Sequence, residues 1–243
     1  MIKRLFDFAV SLLLIIVFSP LIILFSIIIW NKDWHSPFYV SPRVGENEKR
    51  FKMIKFRSMI INADKSGVDS TAVNDSRITP LGNFIRKYKI DELPNLFNII
   101  KGEMSFVGPR PNVQRETDLY TKEELKLLSV RPGITDFSSI VFADEGDILK
   151  NSNDPDLDYN QLIRPWKSRL GIFYVKNRTL VLDIKLMFIT AISIISKKNA
   201  LNIINKILIK LSAEDKLIEI SKRENQLSPH PPPGADSIVL SRN

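Results

Sequence analysis

The run Arg86-Lys-Tyr-Lys-Ile-Asp91-Glu92-Leu-Pro94 sets two adjacent carboxylates among cations, and Lys101-Gly-Glu-Met-Ser-Phe-Val-Gly-Pro-Arg110-Pro111 follows roughly ten residues on. Neighbouring carboxylates repel unless a metal ion or an arginine cluster compensates them, so the combination points to phosphate chemistry. If the pair opens a helix, its members project about 100° apart. One can then face a reacting phosphorus as nucleophile while the other helps hold a hard cation such as Mg²⁺, which takes oxygen ligands and substrate phosphates. Arg86 and, from other segments, Lys55, Arg57, Arg110 and Arg131 are the candidate phosphate contacts. Arginine suits bidentate contact, and lysine acts as a point charge. The same pair also fits a plain helix N-terminus, where carboxylates meet the helix dipole.

Several elements must position these groups. Phe-Tyr-Val and Phe-Lys-Met-Ile-Lys-Phe, between Phe38 and Met59 and separated by Arg43-Val-Gly45-Glu-Asn47, predict a small β-hairpin carrying Lys55 and Arg57. Asn62 to Asn74 is polar, with Gly67, and predicts a mobile loop. Phe84, Ile85, Tyr88, Leu93, Leu96, Phe97 and Ile100 recur at helical spacing, with Gly102 as a stop. The prolines of Gly108-Pro-Arg-Pro111 and Arg131-Pro-Gly133 predict constrained loops. Asp144 to Asp158 is acidic and predicts an exposed irregular segment, and Leu180 to Ile195 a buried or interfacial helix. Ile203, Ile204, Ile207, Leu208 and Leu211 share one helical face, which suits either an anionic lipid surface or the domain itself. The tail with Pro229 and Pro231-Pro-Pro-Gly234 predicts disorder.

The chain has 243 residues, enough for one domain with a buried core. It holds no cysteine, which excludes disulfides, thiolate metal sites and cysteine nucleophiles, and two histidines leave little for a histidine-built metal site. A net charge of +8 implies anionic partners: nucleic acid, acidic lipid or phosphorylated substrates. Leu5 to Trp30 is almost wholly apolar and would span about 39 Å as a helix, enough to cross a hydrocarbon core of about 30 Å. Ser19-Pro20 near its centre predicts a kink, so two half-helices entering and leaving one leaflet fit as well as a crossing. Lys3 and Arg4 before the run, and Arg43, Lys49, Arg50, Lys52, Lys55 and Arg57 after it, make both flanks basic. Both flanks then prefer the cytoplasm, which favours the re-entrant form.

The blocks Lys3-Arg-Leu-Phe-Asp7, Phe18-Ser-Pro20, Lys55-Phe-Arg-Ser-Met59, Asp91-Glu-Leu-Pro-Asn-Leu-Phe-Asn98, Lys101 to Pro111, Val130-Arg-Pro-Gly-Ile-Thr135, Tyr174-Val-Lys-Asn177 and Leu182-Asp-Ile-Lys185, in that order, resemble the bacterial sugar transferases of the monotopic phosphoglycosyl transferase family. The resemblance covers nearly the whole chain before Lys198. It implies an α+β, predominantly helical fold: a re-entrant membrane helix-hairpin, a small β-hairpin and interfacial amphipathic helices around a compact catalytic domain. The expected divisions are 1–35 anchor, 36–198 phosphoglycosyl transferase domain, 199–224 amphipathic C-terminal helix and 225–243 disordered tail.

By the same resemblance, Asp91 is the nucleophile that takes a phosphosugar from a nucleotide sugar, expected to be a UDP-sugar. Polyprenol phosphate then receives it, giving a polyprenol diphosphate sugar and UMP and starting surface glycan or glycoconjugate synthesis. Glu92, with Asp91, supports the Mg²⁺ site. Lys55, Arg57, Arg86, Arg110 and Arg131 match the family's basic donor-binding positions. Ser19 and Pro20 match its membrane bend, with the catalytic domain on the cytoplasmic face of the bacterial inner membrane. Membrane lipid is an expected partner and nucleic acid is not, and the oligomeric state stays open, a homodimer included. One departure stands out. Many relatives follow Arg-Pro-Gly-Ile-Thr with a Gly-aromatic-Ala-Gln-Val-Asn-Gly-Arg run, but here Asp136-Phe-Ser-Ser-Ile-Val-Phe-Ala-Asp144-Glu145 follows Thr135. That segment is either a substrate-recognition variant or a structural one. Two competing readings remain: a non-catalytic membrane adaptor of the same fold, and a basic nucleic-acid-binding protein, which explains the charge but not the anchor.

Overall fold

The computed structural model describes residues 2–66 and 70–241; Gly67 of the expected mobile loop lies outside them. Helix α1 (Ile2–Asp33) is continuous through Pro20, so the helical backbone is not divided into two half-helices by a turn. Proline lacks the N–H that would bond the carbonyl four residues back, that of Ile16. The Ser19 hydroxyl donates to that same carbonyl at 2.8 Å, so the serine satisfies an acceptor the proline leaves open.

Both ends of α1 are tied to one body. Near its start, Lys3 pairs with Asp183, Arg4 donates to the Ile99 and Ile100 carbonyls at 2.5 Å each, and Val10, Leu14 and Ile15 pack on the main core. Near its end, Asp33 takes a two-pronged pair from Arg57 at 2.5 and 2.7 Å, and Ile22, Phe25 and Ile29 are buried with Phe56 and Ile85. Its opposite face exposes Leu5, Leu13, Ile16, Val17, Ile23 and Leu24, an apolar surface of the kind that suits hydrocarbon.

The expected hairpin is present: β1 (Phe38–Val44) pairs antiparallel with β2 (Arg50–Phe56), Tyr39 facing Lys55. Period-two burial of Phe51 and Met53 turns one face of β2 to the core. Helix α2 (Pro80–Lys87) starts where Thr79 accepts from the Gly82 amide at 2.9 Å and Pro80 takes the first turn. Gly82 is required there, because a Cβ would fall 1.8 Å from the Ser58 carbonyl oxygen.

The helix expected from Phe84 to Ile100 is broken. Lys89 sits at φ +58°, so the chain leaves α2, makes a single 3₁₀ turn at Ile90–Glu92 and re-enters as α3 (Asn95–Lys101). Gly102, at φ +84°, closes α3 in the left-handed conformation that its position as a stop requires. Two short strands, β3 (Ser105–Val107) and β4 (Gly133–Thr135), run parallel. They carry the two proline-rich loops side by side, so closely that a Cβ on Gly133 would lie 2.1 Å from the Gly108 nitrogen.

The short helices α4 (Gln114–Thr117), α5 (Phe137–Val141), α6 (Glu145–Ile148) and α7 (Pro155–Asp158) lead into α8 (Arg164–Asn177), α9 (Leu180–Ile195), α10 (Lys197–Lys210) and α11 (Asp215–Lys222). One expectation is corrected here. The segment Asp144–Asp158 is not irregular: it forms α6 and α7, with Leu149 fully buried and Asp144 paired to Lys197. The apolar stripe of α10 faces the domain, burying Ile204 and Leu208, with Ile203, Ile207 and Leu211 partly buried against the same core and Lys206 and Lys210 outward. Helix α9 buries Leu182, Leu186 and Ile189 in the core and exposes Val181, Phe188 and Ile195.

Among the described residues the tail beyond α11 has no helix or strand, as its prolines dictate, yet it is docked where composition predicts disorder. The His230 ring stacks on Trp166 with centroids 4.5 Å apart, Arg169 donates to the Pro231 carbonyl at 2.9 Å, and Gln161 donates to the Val239 carbonyl at 2.6 Å. An aromatic face and two polar side chains on the domain supply what the tail's own sequence cannot.

Candidate active site

Asp91 and Glu92 occupy the 3₁₀ turn between α2 and α3, and both are buried. The left-handed Lys89 turns the chain so that the pair faces β2 and the β3 loop rather than capping a long helix. Asn98 fixes the facing strand: its amide donates to the Lys52 carbonyl at 2.7 Å and accepts from the Ile54 amide at 3.0 Å, standing in for a neighbouring strand. The next residue along, Lys55, thereby reaches Glu92 Oε1 at 2.7 Å. Arg110, on the constrained loop after β3, reaches the same oxygen at 2.7 Å.

The two carboxylates are driven apart electrostatically. Burial pushes the Asp91 carboxyl above the ordinary carboxylate range, Lys55 pulling it back and Glu92 adding to the rise. Burial would raise Glu92 too, but Arg110, Lys55 and Lys89 outweigh it and hold that carboxyl well below its usual value. Glu92 is thus a fixed anion clamped by cations. Asp91 is a desolvated carboxylate, and its Oδ1 is buried without a hydrogen-bond partner. An orphaned oxygen among cations is poised for an electrophile or a hard cation.

Of the basic positions read from sequence, the structure brings Lys55 and Arg110 onto the pair, and Arg86 lies near enough to pull the Asp91 carboxyl downward. Arg57 is drawn elsewhere: Asp33 and the Ser36 carbonyl hold its guanidinium at the end of α1. Arg131 lies 3.6 Å from Glu46 on the hairpin turn. Sequence reasoning missed Lys89 and Asn98. The only signal for Lys89 is its charge two positions before Asp91, and Asn98 stands out only as the end of the Asp91–Asn98 block.

A small cleft of about 30 Å³ opens beside Arg110. Its walls include Asp136 and Ser138 of the departing segment, Tyr159 from the turn before α8, and Lys167. Lys167 pairs with Glu145. Asp136 accepts from the Ser138 hydroxyl at 2.8 Å and from the Ser139 amide at 2.7 Å, which caps α5. Arg110 and Lys89 also help hold the Glu145 carboxyl below its usual value. The acidic segment therefore belongs to the same charged neighbourhood as Asp91 and Glu92.

For a metal, the donors are oxygen only, and Asp91 has an unengaged one. Among the described residues no group of three or more His, Cys, Asp or Glu side chains could hold an ion alone. The set fits a hard cation that takes most of its ligands from phosphate oxygens and water.

A family model described as bacterial sugar transferase matches residues 1–197. An undecaprenyl-phosphate galactose phosphotransferase of Salmonella typhimurium is 35% identical over 216 residues, covering 82% of this chain and 41% of that protein. An undecaprenyl-phosphate glucose phosphotransferase of Komagataeibacter xylinus is 33% identical over 205 residues, covering 82% and 36%. The exopolysaccharide production protein ExoY of Sinorhizobium fredii is 34% identical over 203 residues, covering 77% and 83%. The chain thus spans about two fifths of the length of the first two relatives and most of the third.

Proposed function

We propose, from the premise that this chain belongs to the bacterial sugar transferase family, that it is a membrane phosphoglycosyl transferase. In this reading it carries a phosphosugar from a UDP-sugar to polyprenol phosphate and so starts surface glycan synthesis. The observation that carries it is the division of labour in the acidic pair: Glu92 is clamped by Lys55 and Arg110, while Asp91 keeps a buried, unpartnered oxygen. The Asp91 carboxylate attacks the sugar-proximal phosphorus. The bond from that phosphorus to the bridging oxygen breaks, UMP leaves with that oxygen, and a phosphosugar stays on Asp91. An oxygen of polyprenol phosphate then attacks the same phosphorus, and the carboxylate is released. Lys55, Arg110, Arg86 and Lys89 surround the developing negative charge, which a water-poor pocket makes effective. Asp91 and Glu92, with the donor's phosphate oxygens, would hold Mg²⁺, which when bound neutralises charge between an anionic nucleophile and an anionic diphosphate.

The acceptor is embedded in lipid and the donor is soluble, so the site belongs at the membrane boundary. Helix α1 supports that placement. At roughly 1.5 Å per residue its 32 residues extend about 48 Å, yet both ends touch the same domain, which no domain confined to one side of a bilayer could do across a full crossing. With basic flanks at both ends, the reading is a helix dipping into one leaflet, bent at Ser19-Pro20, with the domain on the cytoplasmic face.

The test is UMP release by purified protein given Mg²⁺, undecaprenyl phosphate and a panel of UDP-sugars. Turnover is expected for at least one donor, lost in Asp91→Asn, with a phosphosugar adduct mapping to the Asp91 peptide when the acceptor is withheld. Because Asp91 must be ionised to attack and its carboxyl titrates above the ordinary 3.8, the rate should fall as pH drops through that raised value. Unchanged turnover in Asp91→Asn would sink the assignment.

A further inference from the structure

We propose that the first turn of α1 is a positioning element for the acidic pair: Arg4 fixes the helix that follows Glu92, and Lys3, acting through Asp183 and Tyr174, fixes the strand that leads to Arg110. The catalytic consequence rests on the phosphotransferase reading, the mechanics only on packing. Three sequence blocks that contribute nothing to the acidic pair itself, Lys3–Asp7, Tyr174–Asn177 and Leu182–Lys185, meet at this point of the fold.

The Arg110 side is held through a shared proton. On α8 the buried Tyr174 hydroxyl lies 2.6 Å from Asp183 Oδ1 and 3.1 Å from the Val107 carbonyl of β3. Burial, and then Asp183, raise this phenol well above its ordinary 10, so it stays protonated, with one proton for two acceptors. An unpaired carboxylate would claim that proton, because hydrogen bonds to charged acceptors are the stronger ones. Lys3 pairs with the other oxygen of Asp183 and moderates the claim, which keeps the hydroxyl on Val107. Val107 stands three residues before Arg110, and the residues between are bonded to β4 and its approach. The Gly108 amide donates to the Thr135 carbonyl at 3.0 Å, and the Gly133 amide donates to the Pro109 carbonyl at 3.0 Å. A loop constrained in this way, with proline on both sides of Arg110, passes a shift at Val107 on to the guanidinium.

The Glu92 side is held directly. Arg4 donates to the Ile99 and Ile100 carbonyls at 2.5 Å each, at the C-terminal end of α3, where a cation also meets the helix dipole. The seven residues of α3 start three positions after Glu92, and Leu96 and Ile99 bury one side of them, so helix and acidic turn move together. Lys3 and Arg4 are neighbours, so one peptide bond joins the hold on β3 to the hold on α3. The 2.7 Å contact between Arg110 and Glu92 closes the circuit at its far end. The seating of α1 thereby sets the spacing between Glu92 and Arg110.

The experiment uses the full-length protein in detergent with two readings: UMP release from the UDP-sugar that the wild type turns over, and melting by scanning fluorimetry. Tyr174→Phe, which removes only the hydroxyl, and Lys3→Gln should each lower kcat at least about tenfold, toward the roughly hundredfold that a 1 Å misplacement costs, with the donor KM within about threefold. Lys3→Arg keeps the charge and should hold kcat within about threefold of wild type. Arg110→Gln removes the group being positioned, so adding Tyr174→Phe to it should lower kcat by less than about twofold more. In the Tyr174→Phe background the melting loss caused by Arg110→Gln should shrink to under about half. Lys3→Gln, on a side chain 37% exposed, carries the same cycle if Tyr174→Phe fails to fold. Multiplying kcat losses and adding melting losses in the double variants would reduce the network to scaffolding and overturn the proposal. So would a kcat within about twofold of wild type in both single variants. If the wild type releases no UMP from any donor, the phosphotransferase reading falls, and the melting cycle alone upholds or overturns the link to Arg110.

Discussion

Replacing Glu92 by Gln keeps the shape of the side chain and removes the charge that two cations share. Lys55 is the buried partner, its side chain 14% exposed, and Arg110 is 37% exposed. Removing one member of a buried pair costs about 3–5 kcal/mol, because the charge left behind is unpaired. Water screens Arg110, so the cost belongs near the low end, about 3 kcal/mol. In a chain of this size that lowers the melting temperature by roughly 6–12 °C. Burial and then Arg110 already hold the Lys55 ammonium below its usual 10.5, and Glu92 opposes them, so its loss deepens the depression. A lysine depressed in the folded state penalises folding while protonated and stops doing so once deprotonated. Glu92→Gln is therefore worst at low pH and should regain stability as pH rises through the lowered folded value toward 10.5. The double variant Lys55→Met/Glu92→Gln removes the stranded ammonium and should melt above Glu92→Gln alone. Differential scanning fluorimetry across pH reads all three. A Glu92→Gln melt within about 1 °C of wild type, flat with pH, would refute the clamp between Lys55 and Arg110.

Two other outcomes follow from the packing. Truncation after Asn225 removes the His230 stack on Trp166 and the bonds from Arg169 and Gln161, and should lower stability by about 1–3 kcal/mol with a shift in tryptophan emission. Burial, then Arg169 and Lys216, lower the His230 pKa, so docking favours the neutral ring: the contribution is full above about 6.5 and fades as pH falls below it, visible as a pH-dependent gap between the full and truncated proteins. For topology, the absence of native cysteine lets Ile2→Cys and Lys150→Cys serve as single labels. In spheroplasts both should resist an impermeant maleimide and react only after the membrane is opened; labelling of position 2 from outside would establish a crossing.

Much of the local structure was legible because it depends on local residue types. The hairpin follows from the alternation around Phe51 and Met53, and the stop at Gly102 from glycine's tolerance of the left-handed backbone; charge marked Lys55 and Arg110 for the acidic pair but marked Arg57 and Arg131 equally. The rest depends on partners far along the chain. Helical spacing continues through Lys89 because a single left-handed residue leaves no trace in apolar periodicity. Arg57 reads as a phosphate contact until Asp33, 24 positions earlier, claims it. The lipid or domain destination of the α10 stripe could not be read from its own sequence, since both present the same pattern. The tail's composition reports its lack of internal structure and nothing about Trp166.

The fastening of α1 at Lys3, Arg4 and Asp33 makes this apolar helix a wall of the domain and not a detachable tether. Phe56 and Ile85 are sealed by Ile22, Phe25 and Ile29, so excising the first 33 residues would strip the lid from an oily seam right behind the strand that carries Lys55. A version without that helix would have to be rebuilt along the seam before the strand behind it could hold its place.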